Sequence, residues 1–316
     1  MDAASALPVY IAKKSRLRTR IWKHKWIYLL LVLPFFATLI FNYFPMYGII
    51  ISFKDYRVAK GILGSNWANP WYKYYWAMFK DITFFSSVLN TVTISFTKLI
   101  LNTASCIMLA LLLNEVRHTI FKRTVQTITY LPHFLSWIVM ASVITTMFSA
   151  SWGAITVAVQ KMTGFQYNPM SNPGLYRSLL YVSTLYKEVG FGSIIYLAAI
   201  AGVNPELYEA ATIDGANRFQ RVWHITLTSI RSIIVLLLIL AVGGLMNGNF
   251  DQIINTYTPT VLSTGDIIDT WIYRHGIKNV EYSFTAAAGM FKQVVNIMLL
   301  LVVNNVAKLF GEEGVI

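Results

Sequence analysis

The sequence has 316 residues, of which 56% are hydrophobic and 13% are charged, and its formal net charge is +12. Because an ordinary soluble domain carries about 25% charged residues, this composition excludes a typical soluble enzyme and indicates a membrane protein. The basic residues flank long apolar runs, so membrane flanks explain the positive charge better than nucleic acid does, and we expect no nucleic-acid partner.

Residue types that carry catalytic or metal chemistry show no recognisable spacing in this sequence. The single cysteine, Cys106, excludes an intrachain disulfide. The five histidines have no metal-ligand spacing, and there is no phosphate loop, Ser-His-Asp arrangement or paired catalytic carboxylate. We therefore predict no catalytic residue, no metal and no cofactor in this chain.

Six apolar runs divide the sequence. The first follows a basic tail at 1–25 and is too long for a signal-peptide core without a small-residue cleavage site, so we expect an uncleaved span. We predict an all-α, multi-pass membrane protein with a transmembrane domain over 26–306 and a short tail over 307–316. The predicted spans are 26–48, 86–113, 127–148, 176–202, 232–247 and 284–306.

The orientation of the spans follows from the distribution of Lys and Arg. These residues are denser in the N-terminal tail and in the loops after the second and fourth spans than in the longer segments 49–85, 149–175 and 248–283. The positive-inside rule then places both termini in the cytoplasm and these three segments outside. Trp and Tyr residues in 49–85 are typical of a membrane-interface belt.

A polar island at 203–228 separates the fourth and fifth spans. Asn204 and Pro205 predict a capped helix start, since Asn accepts from the first backbone N–H groups and Pro is tolerated at the first helical position. Gly215 predicts a break, and Asn217 predicts the cap of a second helix. The island therefore reads as a cytoplasmic helix-turn-helix with small residues where another protein can approach closely.

The spelling of this island resembles the signature of ABC-importer permeases, the EAA motif. That signature reads Glu-Ala-Ala, then Asp-Gly-Ala, then Ile-x-Leu-Pro, and only the final proline is missing here, where Thr228 stands. In that family the loop is a coupling helix that docks on the ATPase subunit. The residues that the resemblance assigns to coupling are Glu209, Ala210, Ala211, Asp214, Gly215 and Ala216.

Three lysines and one glutamate lie within predicted spans, where a charge costs roughly 3 kcal/mol on insertion scales. Lys187 and Glu188 lie in the middle of the fourth span. Adjacent helix residues point about 100° apart, so each either meets a partner across the bundle or borders a water-filled substrate path. Lys98 and Lys292 lie nearer the span ends or could snorkel to the interface, so we favour a structural role for them over a place on the substrate path.

Amides end the fifth span beside three glycines. Asn247 and Asn249 either hydrogen-bond to a neighbouring helix or suit sugar hydroxyls, because an amide is both donor and acceptor. The runs Asn249–Gln252, Asp269–Gly276 and Tyr282–Gly289 resemble carbohydrate-uptake permeases of the oligosaccharide branch. Within that branch they look most like the first permease subunit of bacterial alginate-type importers.

The resemblance also points to a substrate path. When this sequence is aligned with the maltose-importer permease of this family, six of its residues fall on positions that contact sugar in that permease. We add Lys187 and Asn247 because of their positions in the spans. Most matched residues differ in type, so the location transfers better than the chemistry. The predicted path residues are His133, Trp137, Thr184, Lys187, Glu188, Phe191, Asn247 and Asn249. Trp137 and Phe191 suit sugar faces, and Lys187 or His133 suits an acidic sugar.

The resemblance implies a permease subunit of a bacterial ABC importer for oligosaccharides, working by alternating access in the cytoplasmic (inner) membrane. It implies a second, non-identical permease, two copies of an ATPase that bind ATP and Mg, an extracytoplasmic solute-binding protein and surrounding lipid. We expect an acidic, uronate-type sugar, because a buried lysine without a fixed partner favours a visiting anion. Glu188 counts against this, since it could be that partner.

Alternatives remain open at this point. Neutral oligosaccharides would be served equally by Trp137, Phe191 and Asn249. An ABC permease for a peptide or polyamine and a membrane enzyme are further possibilities. A gradient-driven secondary transporter would be favoured by inverted repeats, which the sequence does not show, and it would have no use for a coupling loop.

Overall fold

The computed structural model describes residues 22–149, 151–165, 167–309, 311 and 314. Most of the predicted basic tail, up to residue 21, and most of the predicted C-terminal tail lie outside the described residues. The chain forms two compact units, residues 1–50 and residues 51–316, and each is described by itself.

The described part of the first unit is one apolar helix. Helix α1 (Lys25–Thr38) continues through a π turn at Leu39–Tyr43 into a 3₁₀ helix at Phe44–Phe53. This stretch is long and apolar enough to span a membrane, and helix α1 has no buried residue. An apolar helix exposed on every side needs lipid or another apolar surface to cover it, because water does not.

The second unit is almost entirely helical; 82% of the structure as a whole is helix. Its only described strands are two residues long and pair antiparallel, Lys54 with Trp67 and Asp55 with Asn66. Its elements are β1 (Lys54–Asp55), α2 (Gly61–Gly64), β2 (Asn66–Trp67), α3 (Lys73–Lys80), α4 (Ile82–Glu115), α5 (Thr119–Tyr130), α6 (Trp137–Met147), α7 (Ala154–Thr163), α8 (Pro173–Ala201), α9 (Pro205–Ile213), α10 (Arg218–Arg221), α11 (Leu227–Ser229), α12 (Arg231–Val242), α13 (Phe250–Thr256), α14 (Leu262–Gly265), α15 (Ile268–Tyr273) and α16 (Tyr282–Leu309).

Three helices in the described part of the chain can each span a membrane by length and composition: the α1 stretch, α4 and α16. Three helix pairs pass the same test together but bend by 60° to 100° at a short break, so there are up to six candidate spans. The all-α prediction is confirmed, whereas the six-span topology with both termini inside stays a prediction.

The third predicted span, 127–148, is wrong as one continuous helix. Helix α5 and the 3₁₀ turn Leu131–Phe134 meet α6 at an angle of 100°. Pro132 lacks the N–H that would continue the helical ladder. Ser136 starts α6 afresh, because its Oγ accepts from the N–H of Val139 at 3.3 Å.

Helix α8 lies at the centre of the second unit. It packs along α4, and Gly190 brings it against α5, since a Cβ at this position would lie 2.0 Å from the carbonyl oxygen of Thr129. A buried cluster that includes Cys106, Tyr196 and Ile230 packs against the C-terminal half of α8. Residues 184–191 are consequently fixed beside the break between α5 and α6.

Candidate substrate path and coupling site

Five predicted path residues meet where α8 passes the break between α5 and α6. The Nδ1 atom of His133 lies 2.8 Å from Oε2 of Glu188. The His133 ring stacks on Phe191, with centroids 4.0 Å apart and planes 1° from parallel. Nζ of Lys187 lies 5.7 Å from the ring centroid of Trp137. We call this group the His133 cluster.

Lys187 has fixed partners in the His133 cluster. Its ammonium donates to the carbonyl oxygens of His133 at 2.5 Å and Leu135 at 2.8 Å, and lies 3.7 Å from Oε1 of Glu188. Carbonyls at a helix end lack intrahelical partners, so this lysine satisfies two groups freed by the break. The premise that Lys187 is a buried base without a fixed partner is therefore wrong.

The cluster still presents chemistry to a ligand. The side chains of His133 and Glu188 are 31% and 30% exposed, and Phe191 is 40% exposed. The accessible groups are thus an imidazole, a carboxylate and an aromatic face, while Lys187 lies behind them. Together these groups suit hydrogen bonding and stacking against a sugar ring better than simple attraction of an anion.

The other predicted path residues line an open cavity of about 200 Å³ beside α4, α8 and the end of α12. Thr184, Asn247 and Asn249 all face it. Thr184 lies one helical turn before Glu188, so the cavity and the His133 cluster share one side of α8. No group of three or more metal-ligating side chains comes together in the described part of the chain.

The two remaining intramembrane lysines are buried and do not snorkel. Lys98 and Lys292 are each 8% exposed. Lys98 donates to Oε1 of Gln252, and Lys292 forms a 2.6 Å ion pair with Asp269. Each ammonium finds its partner on a distant segment of the chain, so the burial could not be read from local sequence.

The loop at 203–228 forms the two predicted helices, α9 and α10. Oδ1 of Asn204 accepts from the N–H of Glu206 at 3.0 Å. Asn217 and Gln220 form a reciprocal capping box at the start of α10. Gly215 lies between the helices with φ of +77°, the left-handed region that favours glycine. The predicted caps and the predicted break are confirmed.

This loop presents an exposed surface. Large apolar side chains stand out from it, with Ile213 87% and Phe219 74% exposed. An apolar patch rimmed by polar residues marks a protein-interaction site. Of the predicted coupling residues, the exposed ones are Glu209, Ala210, Asp214 and Gly215, and the half-buried ones are Ala211 and Ala216.

The loop is tied to the following helix without the expected proline. The hydroxyl of Tyr208 on α9 lies 3.0 Å from Oγ1 of Thr226, the residue directly before α11. The chain then bends by 60° between the Arg218–Ser229 segment and α12. Thr228 therefore does not abolish the turn that the proline makes in the family pattern.

Comparison with known proteins identifies relatives of this chain. Residues 103–309 match the family model described as "binding-protein-dependent transport system inner membrane component". The chain is 40% identical over 292 residues to protein LplB of Bacillus subtilis, covering 92% of this chain and 91% of that protein. It is 39% identical over 303 residues to the polygalacturonan/rhamnogalacturonan transport system permease protein YteP of the same organism, covering 96% and 94%.

A solved structure is similar along nearly the whole length. A chain of the bacterial alginate ABC transporter, in complex with its alginate pentasaccharide-bound periplasmic protein, superposes with a TM-score of 0.86 at 34% identity. The match covers 95% of this chain and 100% of that one. These proteins are transport components rather than enzymes. The chain therefore belongs to the binding-protein-dependent transport system inner membrane components, as an ABC permease subunit of the sugar and oligosaccharide group.

Proposed function

We propose that this permease carries acidic oligosaccharides, of the uronate type found in alginate and polygalacturonan, across the inner membrane. The observation that carries the proposal is the nature of its similar proteins. Two of them, found by sequence and by structure separately, serve polymers of uronic acids. Each of the two matches more than nine-tenths of this chain, at 39% and 34% identity.

The interior of the second unit supplies matching groups. Trp137 and Phe191 offer aromatic faces to sugar rings. Asn247 and Asn249 offer amides to hydroxyls, and His133 offers an imidazole as a hydrogen-bonding group. Lys187 as a ligand of an acidic sugar stays a prediction, since two carbonyls already accept from its ammonium.

Transport by alternating access is part of the same proposal. The exposed surface of the loop at 203–228 is where an ATPase subunit would dock, with two copies serving this chain and a second, non-identical permease. ATP and Mg are bound by the ATPases, and an extracytoplasmic solute-binding protein delivers the sugar. The Tyr208–Thr226 contact would transmit movement of α9 to α12, whose far end borders the cavity.

The test is substrate-stimulated ATP hydrolysis by the complete transporter in proteoliposomes. Uronate oligomers are compared with the same oligomers after reduction of their carboxyl groups, so that length and linkage stay constant. We expect stimulation by the acidic forms. Stimulation by the neutral forms alone would make this a permease for neutral oligosaccharides, and uptake driven by an ion gradient without ATP would make it a secondary transporter.

A further inference from the structure

Lys98 on α4 is a buried cation that no described carboxylate neutralises. It is 8% exposed, and its one hydrogen-bond partner among the described residues is Oε1 of Gln252. An ammonium has three hydrogens to donate, so two remain uncommitted. Lys292 makes the contrast, because Asp269 lies 2.6 Å from its ammonium and cancels its charge.

Gln252 orients Lys98 without cancelling its charge. Its Nε2 donates to the carbonyl oxygen of Leu180 at 2.9 Å and to Oγ of Ser183 at 2.8 Å. Its Oε1 also accepts from Oγ1 of Thr184 at 3.3 Å. All the polar positions of this fully buried amide are therefore used, which fixes its oxygen toward Lys98. A neutral amide holds the lysine nitrogen in place and brings no negative charge to it.

The lysine lies on the wall of the 200 Å³ cavity together with unpartnered polar atoms. Ser95, Lys98 and Asn102 follow one face of α4 at positions i, i+3 and i+7. Oγ of Ser95 and Oδ1 of Asn102 are buried and have no hydrogen-bond partner. Buried polar atoms are nearly always paired in proteins, so these two atoms mark a place where another molecule completes the bonding.

We infer that this cavity is a sugar subsite in which Lys98 binds a carboxylate of the acidic oligosaccharide, while Ser95 and Asn102 bind hydroxyls. The inference rests on the proposed function and names a residue for it. The size fits: a water molecule occupies ~30 Å³, so the cavity has room for a carboxylate and part of a ring. Thr184, Asn247 and Asn249 line its other sides.

A carboxylate of the ligand would neutralise the charge of this buried lysine. A charge inside a bilayer is costly unless it is paired, and the ligand supplies the missing partner during passage. A permanent protein partner would instead trap the lysine, as Asp269 does for Lys292. A temporary partner lets a substrate bind at this position and leave again.

The experiment uses the complete transporter with Lys98→Met, which removes the charge, and Lys98→Arg, which keeps it. Wild type and variants share one solute-binding protein, so the selectivity of that protein cancels when their rates are divided. The paired variant Lys292→Met with Asp269→Asn is the matched control, since it removes a buried ammonium and its partner outside the cavity. Uptake of a uronate oligomer, complex assembly and basal ATP hydrolysis are measured for each.

We expect Lys98→Met to lower uronate uptake roughly tenfold or more, the scale of a lost charge-assisted bond. Lys98→Arg and the Lys292→Met/Asp269→Asn control should keep most of the uronate uptake. All three variant transporters should assemble normally. Undiminished uronate uptake by Lys98→Met overturns the inference while the proposed function stands. Failure of Lys98→Met to assemble with the second permease also overturns it, since Lys98 would then bind that subunit. Absence of uronate transport in the wild type overturns the proposed function itself.

Discussion

The loop at 203–228 and the intramembrane polar groups are held in opposite ways. The loop is fixed by bonds between near neighbours, such as Asn204 to Glu206 and the Asn217–Gln220 box. The interior groups are fixed by bonds between distant segments, such as Lys187 to the carbonyl of His133, 54 residues away, and Lys98 to Gln252, 154 residues away.

This difference separates two kinds of mutational effect. A change in the loop alters an exposed surface held by short-range bonds, so we expect lost coupling with an intact bundle. A change at an interior lysine removes a bond between spans, so we expect lost stability, changed substrate preference or both. The predictions below test this distinction, beginning with the largest effect.

The largest effect concerns which side of the membrane each loop occupies. In a Cys106→Ala background, a cysteine replacing Ser171 should react with an impermeant thiol reagent added outside, and one replacing Phe219 should not. Both positions are exposed in the structure, so the side of the membrane on which each cysteine lies decides whether it is labelled. The chain is expressed without ATPase subunits, which could shield Phe219. The reverse labelling pattern would overturn the orientation assigned from Lys and Arg.

The next largest effect concerns Lys187. Lys187→Met leaves two carbonyls at the break between α5 and α6 without a donor. Leaving buried acceptors unpaired costs about 2 kcal/mol or more, so thermal unfolding of the purified complex should occur at lower temperature. Uptake of acidic and neutral oligomers should fall together. A selective loss of uronate uptake at unchanged stability would instead make Lys187 a substrate ligand.

Gly215→Val should uncouple transport without unfolding the bundle. Nothing lies within 4 Å of a Cβ at this position, so only the backbone resists. The left-handed conformation at φ +77° costs an L-residue roughly 1–2 kcal/mol. We expect ATP-driven uptake to drop about tenfold, while Gly215→Asn, which tolerates this conformation, retains most of it. Wild-type uptake by the valine variant with normal assembly would contradict a docking role for this turn.

Glu209→Lys should act through the surface alone. The side chain is exposed, so the free energy of unfolding should change by less than about 0.5 kcal/mol. We expect a several-fold loss of uptake together with weaker co-purification of the ATPase. Glu206→Lys is the matched control, because it makes the same charge change on the same helix outside the motif. Equal losses in both variants would show that net charge, rather than the motif, matters.

The smallest effect lies outside the spans, at a surface ion pair. Hydrogen bonds from Lys73 and Tyr74 hold the pKa of the Asp55 carboxyl below its ordinary value. A carboxyl with a lowered folded pKa stabilises the fold above its unfolded pKa, about 4, and this is lost as the pH falls through the folded pKa. At pH values above about 4, Lys73→Met should therefore cause a small decrease in the melting temperature. The difference should shrink in more acidic buffer, and a difference that grows there would contradict the assignment.

Features set by neighbouring residues were predictable from the sequence. Long apolar runs gave the all-α class, since nothing but lipid or another helix can cover them. The caps at Asn204 and Asn217 and the break at Gly215 were also predictable, because each depends on residues within a few positions. The sequence motif in the same loop indicated the family.

Features set by contacts between distant segments were not predictable from the sequence. Pro132 within the predicted third span was a local sign of a break, but no local pattern indicated that Lys187 on another helix donates to the carbonyls at that break. Snorkelling of Lys98 and Lys292 was a reasonable expectation from their positions, yet Gln252 and Asp269 reach them across the bundle. The sequence alone determined the all-α class, the two capped helices of the loop at 203–228 and the family. The tertiary structure decided which buried charges have partners, because long-range packing, and no local rule, brings an acceptor to each ammonium.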